Sequence, residues 1–245
     1  MIDLNADLGE GFGDDATMLK IVTSASIACG GHAGDAETMR ETICGARANG
    51  VRIGAHPGFR DREYFGRRRL YLAPAEICAQ VLDQIAILDA IGKAQGVRIG
   101  YMKLHGALAN MAAEDDTLSH AIFSAVAESH PGLAILALAG SAQERAAREL
   151  DLDVIAEAYA DRAYTRDGLL VSRTRPGAMI TDIEAVVARC VRLAERGEIE
   201  AMDGTVIKTS ARSICVHGDT KGAVDIARAI RTALTERDLL DRRNA

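Results

Sequence analysis

The sequence predicts an α/β fold, namely a parallel β/α barrel that we expect to have seven strands. Short apolar runs alternate with longer helical patterns, which is typical of a parallel sheet with right-handed crossovers. Most of the apolar runs end in ionisable side chains. A closed barrel directs all of these ends toward one axis, whereas an open sheet spreads them along an edge. Barrels of this kind commonly have about 250 residues, so we expect residues 1–245 to form one domain.

The elements follow one another in a regular order. Seven segments have the length and apolar content of buried strands: 2–6, 26–29, 51–55, 99–103, 133–138, 154–158 and 213–217. Seven segments have helical patterns: 14–23, 35–49, 74–95, 116–129, 142–149, 182–196 and 222–240. Asp35 and Asp116 stand where N-caps are expected. In the third helix, apolar residues from Ile77 to Leu88 recur every three or four positions, which predicts one face against the sheet.

Two long stretches carry neither pattern. Residues 57–72 follow the third predicted strand, and residues 161–177 follow the sixth. Because both come after the carboxyl end of a strand, we expect them to be active-site loops. The run Arg67-Arg68-Arg69 in the first loop can hold an anion locally, but we interpret at least two of these arginines as solvated.

Composition excludes several classes of function. The net charge of −6 argues against broad binding to nucleic acid or to acidic membranes, and no apolar run reaches the length of a membrane span. The five cysteines include no Cys-x-x-Cys pair, which favours a reducing compartment. We interpret Cys29 and Cys215 as small core residues. The N-terminus resembles no secretory signal, so we expect a cytoplasmic protein.

The candidate catalytic residues share one position, because each follows a predicted strand where a polar, glycine-rich turn begins. They are Asp7, Glu10, His32, His56, His105 and His217. We therefore expect them to converge at the carboxyl ends of the strands. Histidine changes its charge near neutral pH, which suits acid–base catalysis. The two other histidines, His120 and His130, belong to a helix, and we interpret them as structural.

Two kinds of chemistry stay open for this group. Asp7, His32, His56 and His217 have the donor types of a divalent-metal site. The same side chains can instead act as acids, bases and hydrogen-bond donors to a carbonyl or phosphoryl group. In either case, Asp7 or Glu10 can serve as a general base.

A second group of charged residues predicts anion binding. Lys103 lies two residues before His105, so both point to the same side of the strand, and a lysine inside a barrel needs a negative partner. Arg162 offers a guanidinium fork for a carboxylate or phosphate, although a loop clasp with Asp161 is the structural alternative. Glu157 stands near the end of the sixth strand. We expect Lys103, Glu157, Asp161 and Arg162 to contact the substrate or a phosphate.

Several segments match motifs of one known family and occur in the same order as in that family. They are Asp3-Leu4-Asn5-Ala6-Asp7-Leu8-Gly9-Glu10, Ile27-Ala28-Cys29-Gly30, His32-Ala33-Gly34-Asp35, Gly54-Ala55-His56-Pro57-Gly58, Lys103, His105-Gly106-Ala107-Leu108, Ala160-Asp161-Arg162-Ala163-Tyr164 and Val216-His217-Gly218-Asp219-Thr220. On these motifs, which span residues 3–220, the chain resembles the LamB/YcsF family. The resemblance implies a seven-stranded β/α barrel related to polysaccharide-deacetylase-like folds.

The resemblance also implies an activity. It is the cleavage of 5-oxoproline to glutamate, coupled to hydrolysis of ATP as co-substrate with Mg²⁺, by a complex in which this chain is the A-type component and two further subunits are of the B and C types. The sequence departs from the family pattern at Gly31, Leu104, Ala109 and Lys221, which stand where Phe, Pro, Tyr and Pro are usual. Gly31 and Ala109 remove bulk near the expected pocket, so we expect them to change substrate fit more than reaction type.

The residues suit such a reaction. Phosphorylation of the lactam oxygen makes the ring carbon electrophilic, so positioning and charge neutralisation dominate catalysis. The sequence has no Gly-x-x-x-x-Gly-Lys-Ser/Thr motif, which predicts an ATP site that is unconventional or shared with partner chains. Two alternatives remain open: a metal-dependent amide hydrolase of the deacetylase type that needs no ATP, and a non-catalytic carrier of a small carboxylate.

Overall fold

Seven parallel strands close into a barrel in the computed structural model, which describes residues 1–218 and 222–241. The strands are β1 (Asp3–Leu8), β2 (Ser24–Ala28), β3 (Arg52–His56), β4 (Tyr101–Met102), β5 (Ala134–Leu138), β6 (Val154–Tyr159), β7 (Glu198–Glu200), β8 (Val206–Lys208) and β9 (Ser213–His217). The barrel order is β1-β2-β3-β4-β5-β6-β9, while β7 and β8 form a separate antiparallel pair. The predicted seven-stranded parallel barrel is confirmed.

Helices follow the barrel strands along the chain. They are α1 (Asp15–Met18), α2 (Ala36–Ala48), α3 (Pro74–Ala94), α4 (Gly106–Glu114), α5 (Asp116–Ser129), α6 (Ala142–Glu149), α7 (Ile183–Arg196) and α8 (Ala223–Glu236). A short 3-10 helix, Arg62–Tyr64, lies in the loop after β3. Among the described residues, no helix is both long enough and apolar enough to cross a membrane.

Some predicted boundaries were wrong for local reasons. Asp35 caps α2 as predicted, but the cap of α5 is Asp115, whose side chain accepts the backbone N–H of Leu118, and Asp116 is the first helical residue. α1 is a single turn rather than ten residues. The sequence did not predict α4, because this Ala-rich helix begins directly after His105 with no side-chain cap.

Successive residues of a barrel strand face two different environments, the apolar layer under the helices and the interior of the barrel. Leu4, Ala6 and Leu8 of β1 belong to the hydrophobic core, which the outer face of the barrel shares with the helices. Asn5 and Asp7 lie between them and instead bond to side chains inside the barrel, namely those of Glu157, Ser213 and Lys103. Because successive strand residues point to opposite faces, the barrel interior is polar. The predicted apolar face of α3 is buried, from Ile77 to Leu88.

Candidate active site

The predicted site residues meet at the carboxyl ends of the barrel strands. Asp7 of β1 is in register with His217 of β9, and His56 is the last residue of β3. Glu10 and His32 follow β1 and β2, and His105 follows β4. A cavity of about 520 Å³ opens here, and its lining includes six predicted site residues: Asp7, Glu10, His56, His105, Arg162 and His217.

Lys103 has its negative partners inside the barrel. Its Nζ lies 2.9 Å from Asp7 Oδ1 and 2.9 Å from Glu157 Oε1, and its side chain is only 2% exposed. Burial alone would lower the pKa of Lys103, but Asp7, Cys215 and Glu157 outweigh it and hold that pKa well above its ordinary value. Lys103 and Glu157 do not line the 520 Å³ cavity. The sequence predicted that a substrate or phosphate would be the negative partner of Lys103. In the structure, Asp7 and Glu157 are its negative partners.

Asp7 joins this ion pair to the histidines. Its Oδ2 lies 3.4 Å from His56 Nε2, while its Oδ1 faces Lys103. Burial raises the pKa of Asp7, but the charges of His56 and Lys103 together lower it by more. The net pKa is therefore well below its ordinary value. Asp7 is thus an ionised carboxylate at the floor of the cavity.

Three imidazoles pack against one another beside Asp7. The rings of His32 and His105 are stacked, with centroids 3.5 Å apart, and His56 meets both rings edge-on. Burial lowers the pKa values of His32 and His105 well below the ordinary range, and neighbouring histidines lower them further. These two rings are therefore neutral near pH 7, which suits proton acceptors or metal ligands.

Glu10 completes a cluster of possible metal ligands with these histidines. Among the described residues, ligand atoms of Glu10, His32, His56 and His105 all lie within 4.8 Å of one another. The sequence had grouped Asp7 and His217 with His32 and His56 instead. In the structure His217 bonds to Asp161, and Asp7 contacts the cluster through His56.

His217 is oriented by a buried carboxylate. Asp161 Oδ1, on a fully buried side chain, lies 2.8 Å from His217 Nδ1, and the Tyr159 ring stacks on the imidazole. A carboxylate bonded to one ring nitrogen fixes the tautomer and leaves the other nitrogen for chemistry. Asp161, which the sequence offered as a structural partner of Arg162, thus contacts His217.

Arg162 borders the cavity and keeps part of its hydrogen-bonding capacity. Its Nη2 donates to the carbonyl of Val171 at 2.6 Å. Its Nε is buried with no hydrogen-bond partner among the residues that the structure describes. This guanidinium is well placed for an anion.

Further arginines of the two predicted active-site loops surround the mouth. Arg67 and Arg69 line the cavity, while Arg68 pairs with Asp61. Arg173 and Arg175 also line it. Arg67, Arg68 and Arg69 are all exposed, so the expectation that at least two of them are solvated is confirmed, although Arg67 and Arg69 also border the cavity. For Arg173 and Arg175, the signal in the sequence was their place in the second predicted active-site loop.

The departures from the family pattern have different consequences. Leu104 and Ala109 line the cavity, as expected for positions that affect substrate fit. Gly31 does not: a Cβ on it would lie 2.2 Å from Gln84 Oε1, so the Gln84 side chain fills the space beside it. Lys221, like Asp219 and Thr220 of the last motif, lies outside the described residues.

Comparisons with known proteins agree with this architecture. The sequence profile of the LamB/YcsF family matches residues 2–242. The A-type subunit of 5-oxoprolinase from Paracidovorax citrulli is 48% identical over 238 residues, which are 95% of each chain.

Two solved structures are also similar. The "Lactam Utilization Protein" of Thermus thermophilus has a TM-score of 0.91 at 40% identity, over 100% of this chain and 99% of the other. A family 4 carbohydrate esterase from Streptomyces lividans has a TM-score of 0.50 at 12% identity, over 98% of this chain and 89% of the other, and shares the fold alone.

Proposed function

The chain belongs to the LamB/YcsF family, and on that premise we propose that it is the A-type subunit of an enzyme that opens the lactam ring of 5-oxoproline to give glutamate. The relative from Paracidovorax citrulli that supports this proposal is named for that activity and matches almost the whole chain at 48% identity. A solved structure at 40% identity is named for lactam utilisation.

One observation carries the proposal: acid–base groups and arginines line the same cavity. Asp7 and His217 stand beside Arg67, Arg69 and Arg162 in a space of about 520 Å³. A small lactam that bears a carboxylate needs both kinds of group. Guanidinium forks bind the carboxylate, while nearby bases and acids handle the protons of ring opening.

We propose that ATP activates the lactam. The lactam oxygen attacks the γ-phosphorus of Mg²⁺-bound ATP and ADP leaves, so the ring carbon becomes bonded to a phosphorylated oxygen. Water then adds to that carbon and the C–N bond breaks with a proton transferred to nitrogen, which leaves glutamyl phosphate. A second water hydrolyses this acyl phosphate and releases phosphate. The products are glutamate, ADP and phosphate. The arginines that line the mouth would offset the charge of the transferred phosphoryl group.

The protein groups can be assigned to these steps. Asp7 takes the proton from the attacking water, since it lines the cavity and is ionised. His217, held by Asp161, donates to the leaving nitrogen or to the developing oxyanion.

The complete reaction requires partner subunits in this proposal. The sequence has no conventional phosphate-binding loop, so we propose that ATP binds at a site completed by subunits of the B and C types. Completion of the site only on assembly would protect the phosphorylated intermediate from water. We also propose a cytoplasmic location, with which five free thiols are compatible.

A glutamate-release assay tests this function. The purified chain is incubated with 5-oxoproline, with and without Mg²⁺-ATP and with and without the two partner subunits. We expect glutamate and ADP in equal amounts only when all components are present. Glutamate without ATP would establish the metal-dependent hydrolase instead. Tight binding of 5-oxoproline without turnover in any combination would establish the carrier.

A further inference from the structure

We propose that His56, His105 and Glu10 bind a divalent transition-metal ion at the edge of the cavity. This inference does not rest on the proposed function, because it concerns only what these side chains hold. It follows from the hydrogen bonds that fix the two imidazoles.

The hydrogen bond of His56 to the backbone determines which nitrogen carries its hydrogen. His56 Nδ1 lies 2.9 Å from the carbonyl oxygen of Lys103. A carbonyl oxygen only accepts, so Nδ1 is the donor and Nε2 is the nitrogen left to face the cluster. Nε2 points toward His105 Nδ1 at 3.0 Å and Asp7 Oδ2 at 3.4 Å.

His105 is fixed in the same way. Its Nε2 lies 3.0 Å from the carbonyl oxygen of Phe65, so Nε2 donates and Nδ1 carries the lone pair. Phe65 presents this carbonyl from a left-handed backbone conformation, with φ of 54°, which is uncommon for a residue other than glycine. Backbone strain of this kind is concentrated at functional sites.

Both outer nitrogens donate to carbonyl oxygens, so the inner nitrogens of the two rings face one another across 3.0 Å with no other hydrogen assigned to them. Such a contact is repulsive unless a cation lies between the nitrogens. Imidazoles whose outer N–H is held by a backbone carbonyl and whose inner nitrogens converge are the usual arrangement around a bound metal. A proton shared by the two nitrogens is the other cation that fits, and the experiment below separates the two.

Carboxylates supply the remaining donors and negative charge. Glu10 Oε1 lies 3.5 Å from His105 Nδ1, close to the ~3.4 Å that separates two ligands on a tetrahedral ion. His32 Nε2 lies 3.2 Å from the same oxygen, and its Nδ1 is buried with no partner among the described residues. His32 therefore carries its hydrogen on Nε2 and orients Glu10 rather than binding the ion.

The cluster also meets the needs of an open metal site. Glu10, His56 and His105 line the cavity, whereas His32 does not. Three protein ligands with a fourth position left for water or substrate are typical of catalytic zinc sites. A donor set of two imidazoles and a carboxylate favours Zn²⁺, Fe²⁺, Mn²⁺ or Co²⁺ over Mg²⁺ or Ca²⁺.

Cobalt provides the direct test. The full chain is freed of metal with a chelator and titrated with Co²⁺, while visible d–d absorption and the melting temperature are followed. We expect one Co²⁺ per chain, a four- or five-coordinate spectrum and a higher melting temperature. His56→Gln and His105→Gln should each bind Co²⁺ at least about 10-fold more weakly, since even residues that only orient ligands have effects of this size.

Two histidine variants serve as matched controls. His120→Gln alters an exposed histidine of α5, and His217→Gln alters a cavity histidine that is bonded to Asp161. Both should bind Co²⁺ as the wild type does. Equal loss in His217→Gln would contradict the assigned ligand set.

X-ray absorption of Co²⁺-loaded wild type keeps the proposal testable if a variant does not fold. We expect two imidazoles per ion. The proposal is overturned if the wild type binds neither Co²⁺ nor Zn²⁺ saturably, which would leave the shared proton, or if the ion has a different imidazole count. All these measurements omit 5-oxoproline and ATP, so they stand whether or not glutamate is formed.

Discussion

Lys103 and its two carboxylate partners form the electrostatic centre of the barrel at the scale of single residues. The ammonium group lies 2.9 Å from both Asp7 and Glu157, and Asn5 donates a further hydrogen bond to Glu157. All these side chains are buried. A buried ion pair adds little to stability compared with apolar packing, but removal of one partner leaves an uncompensated charge in the interior.

We therefore expect Lys103→Met to lower the free energy of unfolding by about 3–5 kcal/mol, because Asp7 and Glu157 would lose their shared cation. Urea denaturation at pH 7 measures this. The control is Lys93→Met, which removes an exposed lysine that pairs with Asp89 on α3 and should cost less than about 1 kcal/mol. If the two losses are equal, the interior ion pair does not have the structural role described here.

At the scale of elements, Glu144 fixes the first turn of α6 to two other segments. Its carboxylate accepts the backbone N–H of Gly140 at 2.6 Å, Arg148 Nη2 at 2.6 Å and Ser210 Oγ at 3.1 Å. Burial raises the pKa of Glu144, but these hydrogen bonds outweigh it, so the net pKa lies below the ordinary 4.5.

Because the folded-state pKa is depressed, the ionised Glu144 stabilises the fold above pH 4.5, and this contribution is lost as the pH falls through the folded-state pKa. We expect Glu144→Gln to lose about 1.5–3 kcal/mol at pH 7, from hydrogen bonds to a charged group. The difference from wild type should shrink below pH 4.5. Denaturation at several pH values measures it, with the exposed Glu149→Gln as control. A difference that does not change with pH would contradict this assignment.

Gln84 connects α3 to the loop that carries Phe65 and Arg67. Its Nε2 donates to the carbonyl of Gly58 at 2.7 Å, and its Oε1 accepts the N–H of Gly58 at 3.1 Å. The same side chain leaves no room for a Cβ at Gly31. The small residue at position 31 and the amide at position 84 are thus packed as a pair.

A double-mutant cycle tests this pairing. We expect Gln84→Ala to cost about 1–3 kcal/mol, because Gly58 loses buried hydrogen bonds. Gly31→Ala should also destabilise the wild type through its clash with Gln84, but should cost much less in the Gln84→Ala background, with a coupling energy of at least about 0.5 kcal/mol. Gly100→Ala, where a Cβ finds atoms no closer than 3.6 Å, is the control. Additive losses would exclude the pairing.

At the scale of the whole molecule, the alternation of strand and helix patterns along the sequence made the barrel predictable. Apolar runs between helical segments, each ending in a charged or imidazole side chain, were sufficient to predict seven strands and a mouth that includes Asp7, His56 and His217. The helix α4 was not predictable, since its Ala-rich sequence lacks a cap. Residue partners were not predictable either, because Lys103–Glu157 and Asp161–His217 join residues 54 and 56 positions apart in the chain.

The central claim is that the cavity at the barrel mouth is where the lactam is opened, and His217 tests it most directly. The measurement is the rate of glutamate formation from 5-oxoproline and Mg²⁺-ATP by the complete complex, assembled with wild-type chain, His217→Gln or His120→Gln. We expect His217→Gln to lower kcat at least about 100-fold, as for loss of an acid–base group, while assembly and melting temperature are retained. His120→Gln, on the exposed face of α5, should match wild type. Full-rate glutamate formation by the His217→Gln complex would contradict the account.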